Sequence, residues 1–588
     1  MTPGARERRL EILTAGGLWL GLTVLFWTGR SHSFGPGDSA QHVLCALLWG
    51  VPHPPGYPLQ TALGWAWSRL PWADPGAAVN GLSGVLAAAA AAVLYGLLRR
   101  AGARRAAALT GAALMALSPL FWYYSLVAEV RALNDLLALA GAWFAAEWAR
   151  DGRPRDLWAF AAVFGLGMSH HPTFALLAPA YAVWVFSRRV TARRLAEAAV
   201  LSAAGLAAPY LLLGLRLAHS AAAYNLFEVR GWGDLIPLYL RLRLGGPARM
   251  VAGSGLLGLG SFDLGRLRTQ TGWFLSALWT HGGPAGLALA AAGAASLWRR
   301  SRRDLLAWTL WGGVSAAVFI VISSQQLFVC DQAYARAIVT RFYLLPMIAL
   351  FALAGHGAQA LAGRVRAAFS WALAVAVIAL PLALRPLSLA HDDALLDYAR
   401  ALVRDARPGD MIVLAADDSI FATLDLELAR GEAGGRVFLV PAMFAFPPYI
   451  RELRRRYPSL VLPPAGPRGL PEDWALWMRL NPGRAVLMEP SLRDTALRLY
   501  PHSVPQGTLV RVETRAVRDN PEADARRFLA APETWTVTRW SIRPWTQEVY
   551  VPEARRLQAE WLGSRLDPRR DRALIGRLKL LLASLDAR

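Results

Sequence analysis

Eleven apolar runs, most of them close to the length that crosses a lipid bilayer, constrain the fold of this chain more than any other feature. Hydrophobic residues make up 55% of its 588 positions and charged residues only 18%, a balance too apolar for a soluble protein of this length. The sequence therefore predicts an all-α polytopic membrane domain of about eleven transmembrane helices. The runs lie at residues 10–29, 79–98, 106–122, 132–149, 157–169, 172–187, 195–215, 272–298, 305–323, 342–362 and 367–386.

Clusters of arginine indicate how these helices are oriented. If the chain has eleven helices and an inner N-terminus, every connection that contains an arginine cluster lies on the inner side, as the positive-inside rule expects. The region after residue 387 then lies on the outer side. The first run is interpreted as a retained helix, because no clear small-residue cleavage site follows it. The clusters occupy the connections at residues 99–105, 150–155, 188–194, 299–303 and 364–366.

The overall charge is less informative than the position of the arginines. The formal net charge is +22, but a single lysine, Lys579, stands beside 62 arginines, a bias typical of genome composition. We therefore predict no nucleic-acid partner. The two cysteines, Cys45 and Cys330, exclude a disulfide framework and a cysteine-rich zinc site. Both lie on the predicted outer side, so a single bridge stays possible, although two buried thiols are the simpler interpretation.

The composition changes near residue 390. A short apolar run at 411–415 is followed by a helix-like stretch at 420–430 and a second apolar run at 436–440. This β–α–β pattern is typical of a small α/β domain. We therefore divide the chain into a transmembrane domain, residues 1–389, and a soluble α/β domain, residues 390–588, which ends in a charged amphipathic helix.

The first predicted outer loop, residues 30–78, carries the leading candidate for chemistry, Asp38, with Ser39 able to form a hydrogen bond nearby. A carboxylate at the bilayer boundary is costly and usually functional. Asp38 could act as a general base that accepts a proton from an acceptor hydroxyl. It is equally suited to cap the helix that begins near Ala40, and the two roles are compatible. The proline-rich loop from His53 to Tyr57 follows and holds a fixed shape.

Two further groups of polar residues fall on the same predicted face. Glu129, Arg131 and Asn134 would be costly in contact with lipid, so we expect them to point inward, where they pair with neighbours or bind substrate. His170 and His171 occupy another outer turn. Adjacent histidines on a helix point about 100° apart, which argues against a shared metal. One of them could bind a hydroxyl or a phosphate, or cap the helix.

The remaining candidates bear on anions and sugars. Arg336 and Arg341 enter the tenth run, where a guanidinium could hold a lipid-linked phosphate leaving group, or simply reach the lipid headgroups. Trp232 lies in a mixed polar and aromatic segment suited to stacking on a sugar, although tryptophan is also common at membrane interfaces. The arginines of the outer loop 216–271 fit either an anionic partner or an ordinary solvated face.

These motifs together resemble the GT-C class of glycosyltransferases, which use polyprenyl-phosphate-linked sugars. The nearest likeness is to a membrane family that includes an animal protein O-mannosyltransferase and many bacterial relatives of unassigned substrate. The resemblance covers most of the chain. It rests on Gly37-Asp38-Ser39, His53-Pro54-Pro55-Gly56-Tyr57-Pro58, Ala128-Glu129-Val130 with Leu133-Asn134, the turn from Gly167 to Pro172, Trp232-Gly233-Asp234, Gly409-Asp410 and Asp417-Asp418.

The resemblance implies a catalytic aspartate in the first outer loop, here Asp38, and inverting transfer from the lipid phosphate. The family usually reads Asp-Ser-Gly-Glu where this chain has Asp38-Ser39-Ala40-Gln41. Because the second acid is missing, we expect no divalent metal, and we carry over neither mannose nor protein O-mannosylation. The family likeness and the arginine bias together indicate a bacterial inner membrane with the α/β domain in the periplasm.

The predicted function is therefore that of a membrane hexosyl- or pentosyltransferase. It would move a sugar from a polyprenyl-phosphate donor in the lipid bilayer to a hydroxyl of a protein, glycan or lipid acceptor. Asp38 would be the base, and Ser39, His53, Tyr57, Glu129, Asn134, His170, His171, Trp232, Arg336 and Arg341 would bind substrate. A transporter or flippase for lipid-linked glycans is the alternative, although its polar residues would be expected near the bilayer midplane. A non-catalytic assembly partner that binds glycan lipids through residues 390–588 is the third possibility.

Overall fold

The computed structural model describes residues 3–33, 35, 37–220, 222–225, 227–242, 264–326, 336, 338–384, 388–415, 417–518, 520–530 and 551–586. Cys330 lies outside them, so whether the two cysteines are bridged stays a prediction; Cys45 is buried and forms no disulfide with another described residue. The first part of the chain is helical. Its helices are α1 (Pro3–Gly29), α2 (Ser39–Leu48), α3 (Pro58–Ser68), α4 (Pro75–Arg100), α5 (Arg105–Ala116), α6 (Pro119–Ser125), α7 (Arg131–Asp151), α8 (Pro154–His170), α9 (Ala178–Val185), α10 (Ala192–His219), α11 (Leu235–Tyr239), α12 (Leu264–Ala277), α13 (Gly283–Arg300), α14 (Arg302–Gln326), α15 (Leu344–Ala362) and α16 (Ala367–Leu384).

Helices occur at all eleven positions that the apolar runs predict, but fewer of them qualify as membrane spans. Within the described residues, α1, α4, α10, α14 and the helix from Ile338 to Ala362, which includes α15, are long and apolar enough to cross a bilayer. The helices α5 and α6 meet at 68° and would make a sixth span as a bent pair. The structure thus supports five or six spans, and the count of eleven is not confirmed. Proline explains part of the difference, because Pro119 begins α6 and Pro172 begins a separate 3-10 turn.

Small residues bring the helices of the bundle close together. The helix α4 packs against α1, α5 and α7, and its alanine-rich middle is buried. The helices α13 and α15 approach so closely that a Cβ at Gly293 would collide with the carbonyl of Leu353. Such contacts between small residues are a usual means of packing helices in membranes, where lipid removes the hydrophobic drive for association.

The region after residue 387 contains a five-stranded sheet in the order β2-β1-β3-β5-β4. The predicted apolar runs at 411–415 and 436–440 contain β1 and β2, which pair in parallel and are joined by a helix. The strand β3 is also parallel to β1, whereas β5 and β4 are antiparallel. The strands are β1 (Met411–Val413), β2 (Val437–Leu439), β3 (Val486–Met488), β4 (Val504–Gln506) and β5 (Leu509–Arg511), and the helices are α17 (Ala394–Arg404), α18 (Asp417–Leu428), α19 (Pro447–Arg456), α20 (Trp474–Leu480), α21 (Arg493–Leu499), α22 (Pro521–Leu529), α23 (Val551–Arg565) and α24 (Arg572–Asp586).

This α/β region packs directly on α2, the helix that follows Asp38. Ala40 and Val43 of α2 share a buried apolar cluster with Leu395 and Ala399 of α17. Leu44 and its neighbours on α2 pack against α18. The backbone N–H of Leu389 also donates to the carbonyl of Gly29 at 2.7 Å. The two regions of the chain are therefore joined at the first loop of the bundle.

Candidate active site

Three charged side chains meet at the start of α2. Arg341 Nη1 donates to Asp38 Oδ2 at 2.8 Å and to Glu129 Oε1 at 3.3 Å. Asp38 occupies the N-cap position of α2, but its side chain accepts no hydrogen bond from the first turn of that helix. The Asp38 carboxylate is therefore directed at the charged cluster and does not cap α2, and its role as a base stays a prediction.

Local backbone geometry aims this carboxylate. Gly37 has a φ of +72°, a left-handed conformation that glycine adopts without strain. Ser39 Oγ accepts from the N–H of Gly35 at 3.0 Å and thereby braces the same turn. Ser39 thus supports the loop that presents Asp38.

The cluster is well shielded from solvent. The side chain of Glu129 is 2% exposed, that of Arg341 16% and that of Asp38 27%. Burial raises the pKa of the Asp38 carboxyl, but Arg341, with smaller contributions from His53, outweighs burial and holds the pKa below its ordinary range. Burial dominates at Glu129, whose pKa is raised. Asp38 is accordingly the acid that stays ionised most readily, and Glu129 shares the same cation.

A second cation, Arg131, lies beside this cluster. It is 6% exposed, and its guanidinium carbon lies 4.3 Å from the centroid of the Phe342 ring. Its Nε is buried without a hydrogen-bond partner, and over the part of the chain that the structure describes Arg131 forms no ion pair. A buried guanidinium of this kind has five N–H donors suited to a phosphate or carboxylate. The sequence predicts that Arg131 points inward and leaves its role open, and Arg131 is not among the residues assigned there to substrate.

Histidine and tyrosine rings form a wall next to Asp38. The Tyr57 ring stacks on His171 with centroids 5.9 Å apart and lies 5.2 Å from His53 and 6.3 Å from His170. Gly56 precedes Tyr57 with a φ of +88°, and a Cβ there would come within 2.6 Å of Leu238. This position therefore requires glycine to place Tyr57 among the imidazoles.

Hydrogen bonds fix the orientation of the rings. His53 Nδ1 lies 2.6 Å from Gln41 Oε1, and Tyr57 Oη lies 3.3 Å from His53 Nε2. An Nδ1–H that donates to Gln41 leaves Nε2 free to accept from Tyr57. His171 Nδ1 accepts from the N–H of Thr173 at 3.2 Å, so His171 caps the following turn. Burial lowers the pKa of His53 to about 4, which keeps this imidazole neutral at pH 7.

The structure adds His42, a residue that the sequence interpretation missed. His42 is 3% exposed, and its ring lies 5.4 Å from that of Tyr57. Neither ring nitrogen has a hydrogen-bond partner among the described residues. The spacing could have indicated this position, because His42 follows Asp38 by four residues and therefore lies on the same face of α2.

Other predicted residues lie apart from this group or lack a clear contact. Arg336 is exposed and donates to Ser276 Oγ at 3.2 Å. Trp232 is 49% exposed, and its ring packs over Gly214 of α10. Asn134 is buried in the first turn of α7. The site thus brings together Asp38, Glu129, Arg341, His53, Tyr57, His170 and His171.

The donor set does not suggest a metal centre. In the described ranges, no group of three or more histidine, cysteine, aspartate or glutamate side chains has the geometry to hold a metal ion. The expectation that no metal takes part stays a prediction.

Known proteins resemble the part of the chain that contains most of this site. The family model of the protein O-mannosyl-transferase TMEM260 N-terminal domain matches residues 38–194. The chain is 29% identical to the mouse protein O-mannosyl-transferase TMEM260 over 223 residues, which cover 36% of this chain and 31% of that protein. It is 24% identical over 374 residues to the Dictyostelium discoideum protein O-mannosyl-transferase tmem260, covering 59% of this chain and 44% of that protein. The chain thus spans less than half the length of the curated relatives it matches.

A solved structure shows the same fold over most of the chain. ArnT from Cupriavidus metallidurans, in its crystal structure bound to undecaprenyl phosphate, superposes with a TM-score of 0.51 and 14% sequence identity. The match covers 86% of this chain and 99% of that one. The comparisons together confirm the resemblance seen in the sequence: the chain is similar to protein O-mannosyl-transferases of the TMEM260 type and shares the fold of ArnT.

Proposed function

We propose that this protein is an inverting membrane glycosyltransferase that moves a sugar from a polyprenyl-phosphate donor to an acceptor hydroxyl, with Asp38 as the general base. One observation carries the proposal: the carboxylate of Asp38 shares Arg341 with Glu129 beside a second buried cation, Arg131. A base and two cations in one shielded place supply what transfer from a phosphate leaving group needs.

The cations are assigned to the phosphate. As the bond between the sugar carbon and the phosphate oxygen breaks, its electron pair stays on the phosphate, and a guanidinium stabilises that charge best where water is excluded. Arg131, which has no ion-pair partner in the described ranges, and Arg341 are better placed for this role than the exposed Arg336.

The carboxylate is assigned to the acceptor. Asp38 would take the proton of the acceptor hydroxyl while that oxygen forms its new bond to the sugar carbon. The bond between Arg341 and Asp38 lowers the basicity of Asp38. A phosphate that engages Arg341 would draw its charge away and raise the basicity of Asp38, so the base would become effective when the donor is bound. Tyr57 and the neighbouring imidazoles offer ring faces and polar nitrogens to the sugar.

The substrates are proposed from the similar proteins, and the membrane face is proposed from the positions of the arginines. Because the relatives are protein O-mannosyl-transferases, mannose and a protein hydroxyl are the first donor sugar and acceptor to test. The ligand named in the ArnT structure makes undecaprenyl phosphate the first carrier lipid. We assign Asp38 and the α/β region to the extracytoplasmic face, with about eleven membrane-crossing segments, because the clustered arginines then lie on the inner side. The family likeness and the arginine bias support a bacterial inner membrane, in which that face is the periplasm.

Reconstituted vesicles test the proposal. Proteoliposomes would receive a panel of radiolabelled polyprenyl-phosphate sugars and a membrane-extract acceptor pool, with wild type compared with Asp38→Asn. We expect label on an acceptor with wild type and none with Asp38→Asn. The control is Asp494→Asn, which changes an acid that is 83% exposed on α21 and should leave transfer intact.

Two results would contradict this function. Transfer by Asp38→Asn at a near-normal rate would remove Asp38 from the role of base. Movement of labelled lipid across the bilayer without covalent transfer would instead favour a flippase.

A further inference from the structure

A cavity of about 280 Å³ lies at the end of the bundle opposite Asp38. Its polar and aromatic lining comprises Glu7, Arg99, Arg104, Arg105, Ser370 and Trp371. The helix α4 links the two ends. Asn80 near its start donates to the carbonyl of Ser31 in the first loop at 2.9 Å, and Arg99 at its end lines the cavity. The nineteen helical steps from Asn80 to Arg99 rise about 28 Å, close to the thickness of the hydrocarbon core.

The cavity carries a cation that is not neutralised. Arg99 and Arg105 both pair with Glu11, at 2.5 Å and 2.8 Å. Arg104 is exposed and donates to the carbonyl of Ala362 at 2.8 Å, and within the described part of the chain it has no carboxylate partner. The remaining acid, Glu7, is 57% exposed and pairs with Arg105 at 2.7 Å and with Arg99 at 3.4 Å, so it leaves Arg104 without a carboxylate. The cavity is therefore suited to an anion.

Two further donors surround the same space. The helix α5 begins at Arg105, and Ala106 of its first turn lines the cavity, where unpaired N–H groups and the helix dipole favour negative charge. Ser370 is 8% exposed, and its Oγ has no hydrogen-bond partner among the described residues. A buried hydroxyl that lines a cavity and lacks a partner is an independent sign of a ligand there.

An apolar face continues from the cavity along α16. Trp371 is 46% exposed, Val375 59% and Leu382 36%, and their spacing of four and seven residues puts them on one side of the helix. A free phosphate would have no use for this face, whereas acyl chains would lie along it with the tryptophan at headgroup level.

We propose that this cavity binds the phosphate headgroup of an anionic glycerophospholipid. Arg104 and the Ser370 hydroxyl would donate to the phosphate oxygens, and the acyl chains would lie on the exposed face of α16. Basic pockets between membrane helices recognise anionic headgroups by the same chemistry. The site is independent of sugar transfer and would exist even in a protein that transfers nothing.

Native mass spectrometry of the full-length protein in detergent would measure the lipid retained when phosphatidylglycerol or phosphatidylcholine with the same acyl chains is added. We expect phosphatidylglycerol to be retained about fivefold more strongly, as one unpaired arginine would produce. Arg104→Gln should remove that preference, and Glu7→Gln, which removes a competing acid, should increase it. Arg193→Gln is the matched control, because it removes an 89% exposed arginine at the start of α10.

The outcomes separate the possible ligands. Equal retention of the two lipids, or an unchanged preference in Arg104→Gln, would overturn the proposal. Full displacement of phosphatidylglycerol by the same concentration of inorganic phosphate would show that the site takes the anion alone and would overturn the lipid assignment. Failure of sugar transfer in vesicles would leave these lipid measurements unaffected.

Discussion

Two clusters of arginine and acidic side chains lie near opposite ends of α4, and they differ in their exposure to solvent. At one end Arg341 joins Asp38 and Glu129, and the glutamate is 2% exposed. At the other end Arg105 joins Glu7 and Glu11, whose side chains are 57% and 26% exposed.

Desolvation distinguishes the two clusters. Removing ionised groups from water costs several kcal/mol per ion, which a good ion pair recovers only in part. A chain that keeps such a cluster next to a membrane has a reason other than stability, and strongly perturbed acids are characteristic of functional sites. Exposed pairs cost little and contribute about 0–1 kcal/mol. The proposed chemistry therefore lies at the Asp38 end, and the proposed lipid contact lies at the arginine end.

The largest expected effect comes from removing the shared cation. Arg341→Gln leaves Glu129 buried without its cation, so we expect transfer to fall to background and the free energy of unfolding to drop by about 3–5 kcal/mol. Thermal unfolding in detergent and the vesicle assay would measure both. The double variant Arg341→Gln with Glu129→Gln should regain stability without regaining transfer. A single variant as stable as wild type would show that the pair is not desolvated.

Arg131 provides a test that separates binding from folding. Arg131→Gln removes a phosphate donor, and we expect the KM for the lipid-linked donor to rise about 10–100-fold, the effect of losing a hydrogen bond to a charged group. The control is Arg336→Gln, because Arg336 is exposed and bonded to Ser276. An equal rise of the KM in both variants would mean that Arg336 also binds the phosphate, as the sequence predicts.

The decline of transfer at low pH should follow the protonation of His53. Its pKa in the folded protein is about 4 against an ordinary 6.5, so the unfolded chain binds the proton first as the pH falls. The stability due to neutral His53 is thus complete above about pH 6.5 and is lost down to about pH 4. Protonation also disrupts the hydrogen bond from Tyr57 and places a cation near Arg341. We expect transfer to persist at pH 5 and to decline towards pH 4, measured in buffered vesicles.

A normal histidine would give a different profile. Half-maximal transfer near pH 6.5 would mean that His53 is solvated. The variant His53→Gln retains a polar side chain and should no longer show the decline of transfer near pH 4 if His53 causes it. The other charged or titratable groups acting on His53 are Asp38, His42, Arg241 and Arg341, so a decline that persists in this variant would be assigned to one of them.

Part of this arrangement could be predicted from the sequence, because it depends on local pattern. Apolar runs predicted where helices lie, and the Asp38 motif located one corner of the site. The bond from Arg341 to Asp38 spans 303 positions, a distance over which residue spacing carries no information. The family model also ends at residue 194, well before Arg341. The burial of His42 depends on how the proline-rich loop folds back over α2, which composition does not encode.

The smallest expected effect lies at the arginine end of α4. Glu7→Gln removes an acid that is 57% exposed and pairs with Arg105 at 2.7 Å. We expect the free energy of unfolding to change by less than about 1 kcal/mol and transfer to stay at the wild-type rate, because water screens the pair and Arg105 retains Glu11. Thermal unfolding beside Arg341→Gln would compare the two ends directly. Equal losses at both ends would mean that burial does not distinguish the clusters, and the case for Asp38 would then rest on transfer alone.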